Sequence, residues 1–438
     1  MERTAWADAE RIDRQAARYL DGGYTEPLRR LIRSVPLADG VRLARRLPTP
    51  PVDGSALSLL ATADERAVRD AADAAARAVR TDHAVRAGAA QWVSFGVGDP
   101  VLTVTTLPEP GLTRIMMLDG VTWREIYHGE LEHHAVGCVD AENVVAVRDD
   151  PARRLALVHY VAGTEKLVMT GQALLGTRPA GTAAGFVAGS GLAPAVAVAG
   201  PDREPDIVDL APFGLEAAAR LAVDPTGRAV AFGGTAAVVV TDARMEHLLA
   251  RNVVPPPHGP VRGLAFTGPD TLVVGGQAGG LSRWRVSPHE ALALEGIAEA
   301  PRLDGLCAIP AWGVIGGRSG GEHQYFDPDT LAPVSAPRPL LEAGWNPRLV
   351  HTVTGSADGR FAVVDGFLDP GPDGVPAPAM ARYDFHHPLA RLLRPVGSLD
   401  DADLAALAEA AAPGSGLPHR ETLALLHAVA TTSRADRG

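Results

Sequence analysis

The chain has 438 residues and 46% hydrophobic content, which is enough for a large core. Its formal net charge of −11 disfavours binding to the phosphate backbones of nucleic acids. The charged N-terminal segment and the absence of an apolar run of about 18 residues predict neither a signal peptide nor a membrane span, so a cytoplasmic location is expected.

Two cysteines and one lysine limit the chemistry. Cys138 and Cys307 predict neither a disulfide framework nor a cysteine zinc site, and both are expected to be reduced core residues in innermost strands. Lys166 lies in GTEKLVM, which matches no P-loop, kinase or Schiff-base context. The abundance of Ala, Gly, Pro and Arg is typical of a high-GC bacterium.

Residues 1–88 are predicted to form a helical appendage. TEPLRRLIRSV (25–35) and ATADERAVRDAADAAARAV (61–79) place apolar residues on one side and Arg or Asp on the other, with a proline-rich linker between them. The arginines between residues 29 and 46 are interpreted as a solvated helical face that steers this segment towards the acidic body or an acidic partner. Contact with nucleic acid or an anionic membrane surface is the alternative.

Residues 89–388 contain an internal repeat. Segments 220–242, 262–286 and 304–327 each consist of an apolar strand, a turn, a second apolar strand with Gly-Gly, a polar link and a third strand. Weaker copies on both sides bring the number of units to seven. Their second strands are predicted to end at Thr105, Arg148, Ala199, Gly233, Gly275, Gly316 and Asp365. A period of about 40–45 residues predicts an all-β, seven-bladed propeller.

The central units resemble WD40-type blades. His258-Gly259, the following VRGLAF and Trp284 in SRWRV occupy the positions of that family's histidine-glycine start and third-strand tryptophan. The resemblance implies a WD40-like propeller, and the blades of that family mostly serve as protein-interaction scaffolds.

Several motifs contain residue types that can carry chemistry. LVVGGQAGGLSRW (272–284) and GVIGGRSGGEHQYF (313–326) are interpreted as one turn built twice, because no lysine or helix follows the glycines. The G-x-S-x-G pattern at 317–321 is predicted to be a hairpin loop. The histidines at 128–134 are expected at the outer edge of their blade, with a metal site shared with His386 and His387 as the alternative. No metal and no cofactor are predicted.

Residues 389–438 are predicted to form a second helical appendage. Ser398 is the predicted N-cap of SLDDADLAALAEAAA (398–412), and RETLALLHAVA (420–430) follows. The apolar stripes of both appendages are expected to pack on the propeller; dimerisation or recruitment of a partner is the alternative. The strand that closes the ring is expected from residues 83–91 or from 389–396.

Loops between second and third strands are predicted to gather at one rim of the ring. The predicted binding residues there are Arg148, Asp149, Arg318, His323 and Asp365. The first hypothesis is a scaffold whose rim binds a peptide or protein, with a small molecule possible in the channel. The alternative is a bacterial biosynthetic or hydrolytic enzyme with Asp, His and Arg side chains at the channel mouth. The absence of a recognisable catalytic set favours the scaffold, and no catalytic residue is assigned. A third hypothesis is a sensor domain.

Overall fold

The structure is a computed structural model, and it describes most of the chain. The described residues are 13–47, 55–83, 92–95, 101–109, 112–119, 121–131, 133–138, 143–148, 155–159, 164–169, 180–190, 193–200, 203–252, 255–288, 290–334, 344–356, 358–369 and 374–435.

The chain divides into two compact units. The helical unit comprises Met1–Thr81, Val334–Trp345 and Arg382–Gly438, and the propeller unit comprises Asp82–Pro333 and Asn346–Ala381. Of the described helices, none combines the length and apolarity that a membrane span requires.

The helical unit contains seven described α-helices from both ends of the chain. They are α1 (13–21), α2 (Thr25–Arg33), α3 (Leu37–Ala44), α4 (Ala56–Thr62), α5 (Glu65–Val79), α6 (Asp401–Ala411) and α7 (Arg420–Ala435), with short 3-10 helices at Pro388–Leu393 and Val396–Ser398. Helical segments at the two ends agree with the sequence-based expectation.

Helix α5 shows how sequence sets these helices. The carboxylate of Asp64 accepts hydrogen bonds from the backbone N–H groups of Arg66 and Ala67, which caps the first turn. Val68, Ala71, Ala72, Ala75 and Val79 recur at helical spacing and form the buried face. The alanines keep that face flat, which allows the 3-10 helix Pro388–Leu393 to pack closely against it.

The N-cap of α6 is Asp400, so the prediction of Ser398 was wrong. The Asp400 carboxylate accepts from the backbone N–H of Asp403, and the Asp403 carboxylate accepts from the backbone N–H of Asp400. Ser398 lies within a 3-10 turn that ends before the helix starts. The reciprocal pair of carboxylates fixes the start of the helix two residues later.

The terminal helices pack on one another within the helical unit. Helix α4 contacts α7, and the backbone N–H of Val396 donates to the carbonyl of Val35 at 3.2 Å. Leu60, Leu423 and Leu426 are fully buried. The apolar stripes therefore cover each other, an arrangement that was not among the expectations. Full burial of each leucine contributes about 1.5–3 kcal/mol.

The arginines of the N-terminal helices form ion pairs within this unit. Arg42 and Arg46 contact the carboxylate of Asp13 at 2.5 and 3.1 Å, and Arg45 lies 3.8 Å from Glu65. These side chains are half-buried or exposed, so such pairs contribute only about 0–1 kcal/mol each.

The described strands form seven sheets, numbered here in chain order. The first three are β2 (Trp92–Phe95), β3 (Val101–Glu109), β4 (Leu112–Asp119), β5 (Glu125–Leu131); β6 (His133–Cys138), β7 (Asn143–Arg148), β8 (Leu155–His159), β9 (Thr164–Met169); and β10 (Ala180–Thr182), β11 (Gly185–Gly189), β12 (Ala195–Gly200), β13 (Arg203–Asp209).

The fourth, fifth and sixth sheets follow the same order. They are β14 (Arg220–Val223), β15 (Ala229–Gly233), β16 (Val238–Asp242), β17 (Leu248–Arg251) with β21 (Glu290–Ala291) parallel to β17; β18 (Val261–Gly268), β19 (Thr271–Gly276), β20 (Leu281–Arg285), β22 (Ala293–Ala298); and β23 (Leu306–Ile309), β24 (Val314–Ser319), β25 (Glu322–Phe326), β26 (Pro333–Val334).

The seventh sheet combines strands from both ends of the repeat region. Its order is β1 (Arg80–His83), β29 (Pro378–Asp384), β28 (Phe361–Leu368) and β27 (Trp345–Gly355). Of the two expected closing segments, 389–396 instead begins within a 3-10 helix. Strand β1 reaches only the first residue of the segment 83–91, whose other residues lie outside the described part.

Within the propeller unit, consecutive sheets pack face to face through apolar side chains. First strands contact the next sheet along the chain, and the Cys307 thiol lies 3.8 Å from the Thr354 hydroxyl between the sixth and seventh sheets. Val93 and Leu118 of the first sheet pack with Val363 and Met380 of the seventh. Successive four-stranded antiparallel sheets arranged in this way are a β-propeller.

Several predicted ends of second strands were wrong. Strand β3 continues past Thr105 to Glu109, and β24 continues past Gly316 to Ser319. Ala199 lies in the third strand of its sheet, because β10 is a separate first strand that contacts β6 and β14. The second strand of that sheet therefore ends at Gly189. Strand β28 continues to Leu368, so Asp365 lies inside the strand and its side chain is 0% exposed.

Candidate binding rim

The candidate site is one end of the fourth, fifth and sixth sheets, called the rim here. It comprises the turns between second and third strands and the residues at the start of the first strands. The residues that carry its charge and polarity are Arg220, Arg262, Gln277, Arg302, Asp304, Arg318 and His323.

The structure brings together two of the five predicted binding residues. Arg318 near the end of β24 and His323 in β25 are cross-strand partners, so their side chains project on the same face of the sheet. Arg318 is exposed, and His323 is half-buried with its ring stacked 6.5 Å from that of Tyr325.

Of the other three predicted residues, the structure describes the side chain of Asp365 alone. Arg148 ends β7, but its side chain lies outside the described part of the structure, as does all of Asp149. Asp365 is buried within β28.

Arg220 and Arg262 form the centre of the rim, and the sequence-based prediction missed both. Arg220 begins β14, and its Nε donates to the backbone carbonyl of Arg262 at 2.8 Å. Its Nη1 donates to the carbonyl of Ala219 at 2.7 Å. These two bonds fix the guanidinium of Arg220 beside the second residue of β18. The Nε of Arg262 in turn donates to the side-chain carbonyl of Gln277.

Glycine at position 263 permits the close approach of neighbouring first strands. A Cβ there would lie 2.7 Å from the Leu306 side chain and 3.0 Å from the backbone of Gly305. The backbone of the fifth sheet therefore meets the start of the sixth directly. This contact holds Arg262 close to the residues that precede β23.

Asp304 is the acidic residue in this group. Its backbone N–H donates to the carbonyl of Arg318 at 2.7 Å, and its carboxylate lies 3.7 Å from the guanidinium of Arg302. Both side chains of that ion pair are half or more exposed, so the pair is weak.

Burial lowers the pKa of Arg220, and the positive charge of Arg262 lowers it further. Asp304 acts in the opposite direction and raises it. The two lowering effects together outweigh the effect of Asp304, so the surroundings disfavour the charged form of Arg220. An anion bound at the rim would supply the missing compensation.

The two doubled-glycine loops are hairpin turns, as predicted, but they are not the same turn built twice, because the strand pairing continues further into the second loop. Strands β19 and β20 pair across 275–281, and strands β24 and β25 pair from Ile315–Phe326 to Ser319–Glu322. Gly320 and Gly321 have φ of +57° and +90° in the second turn. Ser319 therefore precedes a strand rather than a helix, which does not match the nucleophile elbow of a hydrolase.

Trp284 lies in the third strand of the fifth sheet, at the position that the resemblance implied. It is fully buried, and its Nε1 donates to the hydroxyl of Ser282 at 2.9 Å. Cys138 and Cys307 also lie in first strands, β6 and β23, as expected, but Cys307 is half-buried rather than a core residue.

Among the described side chains, one group has metal-ligand types in reach of one another: Asp242, Glu246 and His247. The Asp242 carboxylate already accepts hydrogen bonds from the backbone N–H groups of Glu246 and His247. This hairpin lies at the end of the sheet away from the rim.

The side chains of the histidines at 128–134 fall outside the described part. The backbone of His128 lies in β5, the fourth strand of the first sheet, as expected for an outer edge. His133 and His134 lie in β6, the first strand of the second sheet, so the expectation was wrong for these two.

The repeat pattern in the sequence could have identified Arg220 and Arg262 as rim residues. Arg220, Arg262 and Asp304 are equivalent first positions of the three close repeats, and Arg220 and Arg262 are separated by 42 residues. Charged residues at equivalent repeat positions gather at one end of neighbouring blades.

No family model and no curated protein matches the chain. Among solved structures, the chain is similar to the β-propeller domain of Cps50 (Swd1) from Myceliophteria thermophila. The two are 11% identical, with a TM-score of 0.47, and the match covers 69% of this chain and 99% of that chain.

Proposed function

We propose that this chain is a protein-interaction platform whose rim binds a peptide or protein partner. We further propose that its seven sheets are the seven blades of one closed ring, as the packing of the seventh sheet on the first supports. A closed ring holds the loops of successive sheets in fixed positions around one opening.

The observation that carries the proposal is the open, polar surface at Arg318 and His323. Arg318 is exposed, and a Cβ added at Gly320 or Gly321 would meet nothing within 4 Å beyond its immediate chain neighbours. The turn therefore offers backbone groups and a cation in open space, on a scaffold whose sheets are rigidly packed. Such an arrangement suits an extended peptide, which binds through main-chain hydrogen bonds and side-chain charges.

The enzyme alternative required Asp, His and Arg side chains that converge at the channel mouth. Among the described residues of the predicted set, Arg318 and His323 adjoin one another, and Asp365 lies in the interior of a strand. The rim thus offers a binding surface rather than a pair of acid and base groups, which favours the platform.

The test is affinity capture from the native host with the full chain and two charge-reversed variants. Arg318→Glu changes the rim, and Arg228→Glu changes an exposed arginine at the opposite end of the fourth sheet. We expect Arg318→Glu to lose specific partners that Arg228→Glu retains. The same set of captured proteins with both variants would refute binding at the rim.

A further inference from the structure

We propose that Arg220 and Arg262 form a carboxylate clamp that binds an acidic segment of a protein partner. This inference rests on the proposed function and deepens it, because it assigns the partner's chemistry. The two residues hold adjacent positive charges at the start of neighbouring first strands, where an approaching chain would meet both.

The ion pairs elsewhere in the described part of the chain provide the comparison. Arg42, Arg283 and Arg391 are also poorly exposed, at 21%, 24% and 17%, and each contacts a carboxylate at 3.3 Å or less. Arg220 and Arg262 are half-buried as well. Their described hydrogen bonds go to two backbone carbonyls and one amide oxygen. Among the described residues, neither arginine forms an ion pair with a carboxylate.

The hydrogen bonds to neutral acceptors keep the guanidinium groups in position without removing their charge. Burial and the neighbouring Arg262 lower the pKa of Arg220, and Asp304 offsets this only in part, so a further anion would favour the charged form. The planar guanidinium presents its donors as a fixed fork that matches the two oxygens of a carboxylate. A ligand with two carboxylates would relieve the repulsion between both arginines at once.

The charge of the whole protein favours an acidic peptide over a nucleic acid. The chain carries −11, and Asp304 lies beside Arg220. A polyanion that extended beyond the two arginines would meet a repulsive surface. In a short acidic segment, the carboxylates contact the two arginines, and the residues that follow along the rim need not be negatively charged.

The probe for the test is a fluorescent hexaglutamate peptide, measured by anisotropy with the full chain. We expect saturable binding that weakens as salt is raised, and no binding of hexalysine. The variant Arg220→Gln/Arg262→Gln should weaken binding at least about tenfold. The control Arg228→Gln should stay within about twofold of the parent, because this arginine lies at the other end of the sheet.

The single variant Arg262→Gln is included because Arg220 bonds to backbone and its loss could disturb folding. Circular dichroism checks that the variants are folded. Absence of hexaglutamate binding, or binding that Arg262→Gln leaves unchanged in a folded protein, would overturn the clamp. Single-stranded DNA and inorganic phosphate are the competing ligands. Tighter binding of the DNA through the same arginines would also refute an acidic peptide partner.

The outcomes separate this inference from the proposed function. If Arg318→Glu loses host partners while the two glutamine substitutions do not affect hexaglutamate binding, the platform stands and the clamp fails. If Arg220 and Arg262 bind hexaglutamate while every rim variant captures the same host proteins, the two arginines bind anions but the proposal of a protein-interaction platform at the rim is wrong.

Discussion

The imidazole ring of His258 lies directly against the Cα of Gly280, in the space that a Cβ at that position would occupy. The backbone of His258 approaches Gly276 in the same way. Gly276 and Gly280 therefore have to be glycines, because His258 occupies the space of a side chain at both positions. Gly321, at the equivalent place in the next sheet, has open space around it.

Substitution of these two glycines separates backbone strain from steric overlap. Gly280 and Gly321 both have φ of +90°, so alanine at either one costs about 1–2 kcal/mol. Gly280→Ala also forces the His258 ring to move, and we expect it to lose about 1–3 kcal/mol more than Gly321→Ala. Denaturant unfolding measures both. In a His258→Ala protein, which lacks the ring, Gly280→Ala and Gly321→Ala should cost the same. If the two substitutions already cost the same with His258 present, the steric contact would be contradicted.

The hydrogen bond between Trp284 and Ser282 satisfies a buried donor. Ser282 is 1% exposed, and Trp284 is fully buried. Ser282→Ala leaves the indole N–H without its acceptor, and we expect a loss of about 1–3 kcal/mol in the free energy of unfolding. Trp284→Phe/Ser282→Ala removes donor and acceptor together. If the double variant loses less stability than the sum of Ser282→Ala and Trp284→Phe, the hydrogen bond is supported. A loss equal to that sum would argue against it.

Asp403 connects α6 to the segment that precedes it. Its carboxylate contacts Arg391 at 3.0 Å and Arg394 at 2.7 Å, and its side chain is 10% exposed. Asp403→Asn removes the negative charge beside two largely buried guanidinium groups. We expect a loss of about 3 kcal/mol in the free energy of unfolding, measured by thermal denaturation.

The matched control for this change is Asp401→Asn in the same helical turn. Asp401 pairs with Arg434 but is 95% exposed, so its loss should cost less than about 1 kcal/mol. Equal destabilisation by the two substitutions would show that the buried ion pairs of Asp403 contribute no more than the exposed pair of Asp401.

Tyr383 accepts a hydrogen bond from the Trp345 indole at 2.9 Å within the helical unit. Both side chains are buried. Tyr383→Phe keeps the ring but removes the acceptor, and we expect a loss of about 1–3 kcal/mol. Indole fluorescence of Trp345 should also change, because its N–H loses a partner. An unchanged unfolding midpoint would show that this bond contributes nothing to stability.

The propeller could be predicted from sequence where the repeat is strong. The fourth to sixth sheets share apolar strands, Gly-Gly pairs and a third strand with Val, Trp or Tyr, and the structure forms a sheet from each of them. The strand end at Gly233 was also correct, whereas β24 continues beyond the predicted Gly316. These patterns are local, because two-residue alternation and tight turns act between neighbours along the chain.

Prediction failed where the local pattern was ambiguous. The segments GFVAG and AVAVAG of β11 and β12 are equally apolar, and the three-residue β10 has no alternation to mark it. The sequence around Asp365 ends its apolar run with Asp-Gly, which is typical of a turn, yet the ladder of β28 continues. Tertiary packing buries the carboxylate there, and no neighbour along the chain reveals it.

The pairing of β1 with β29 has a consequence for biosynthesis. The ribosome produces residues 80–83 before any of the sheets, but their partner strand emerges about three hundred residues later. The nascent chain must keep this early strand unpaired, or protected, throughout translation. Translation that stalls before residue 384 would release a chain with exposed strand edges, prone to association with other copies.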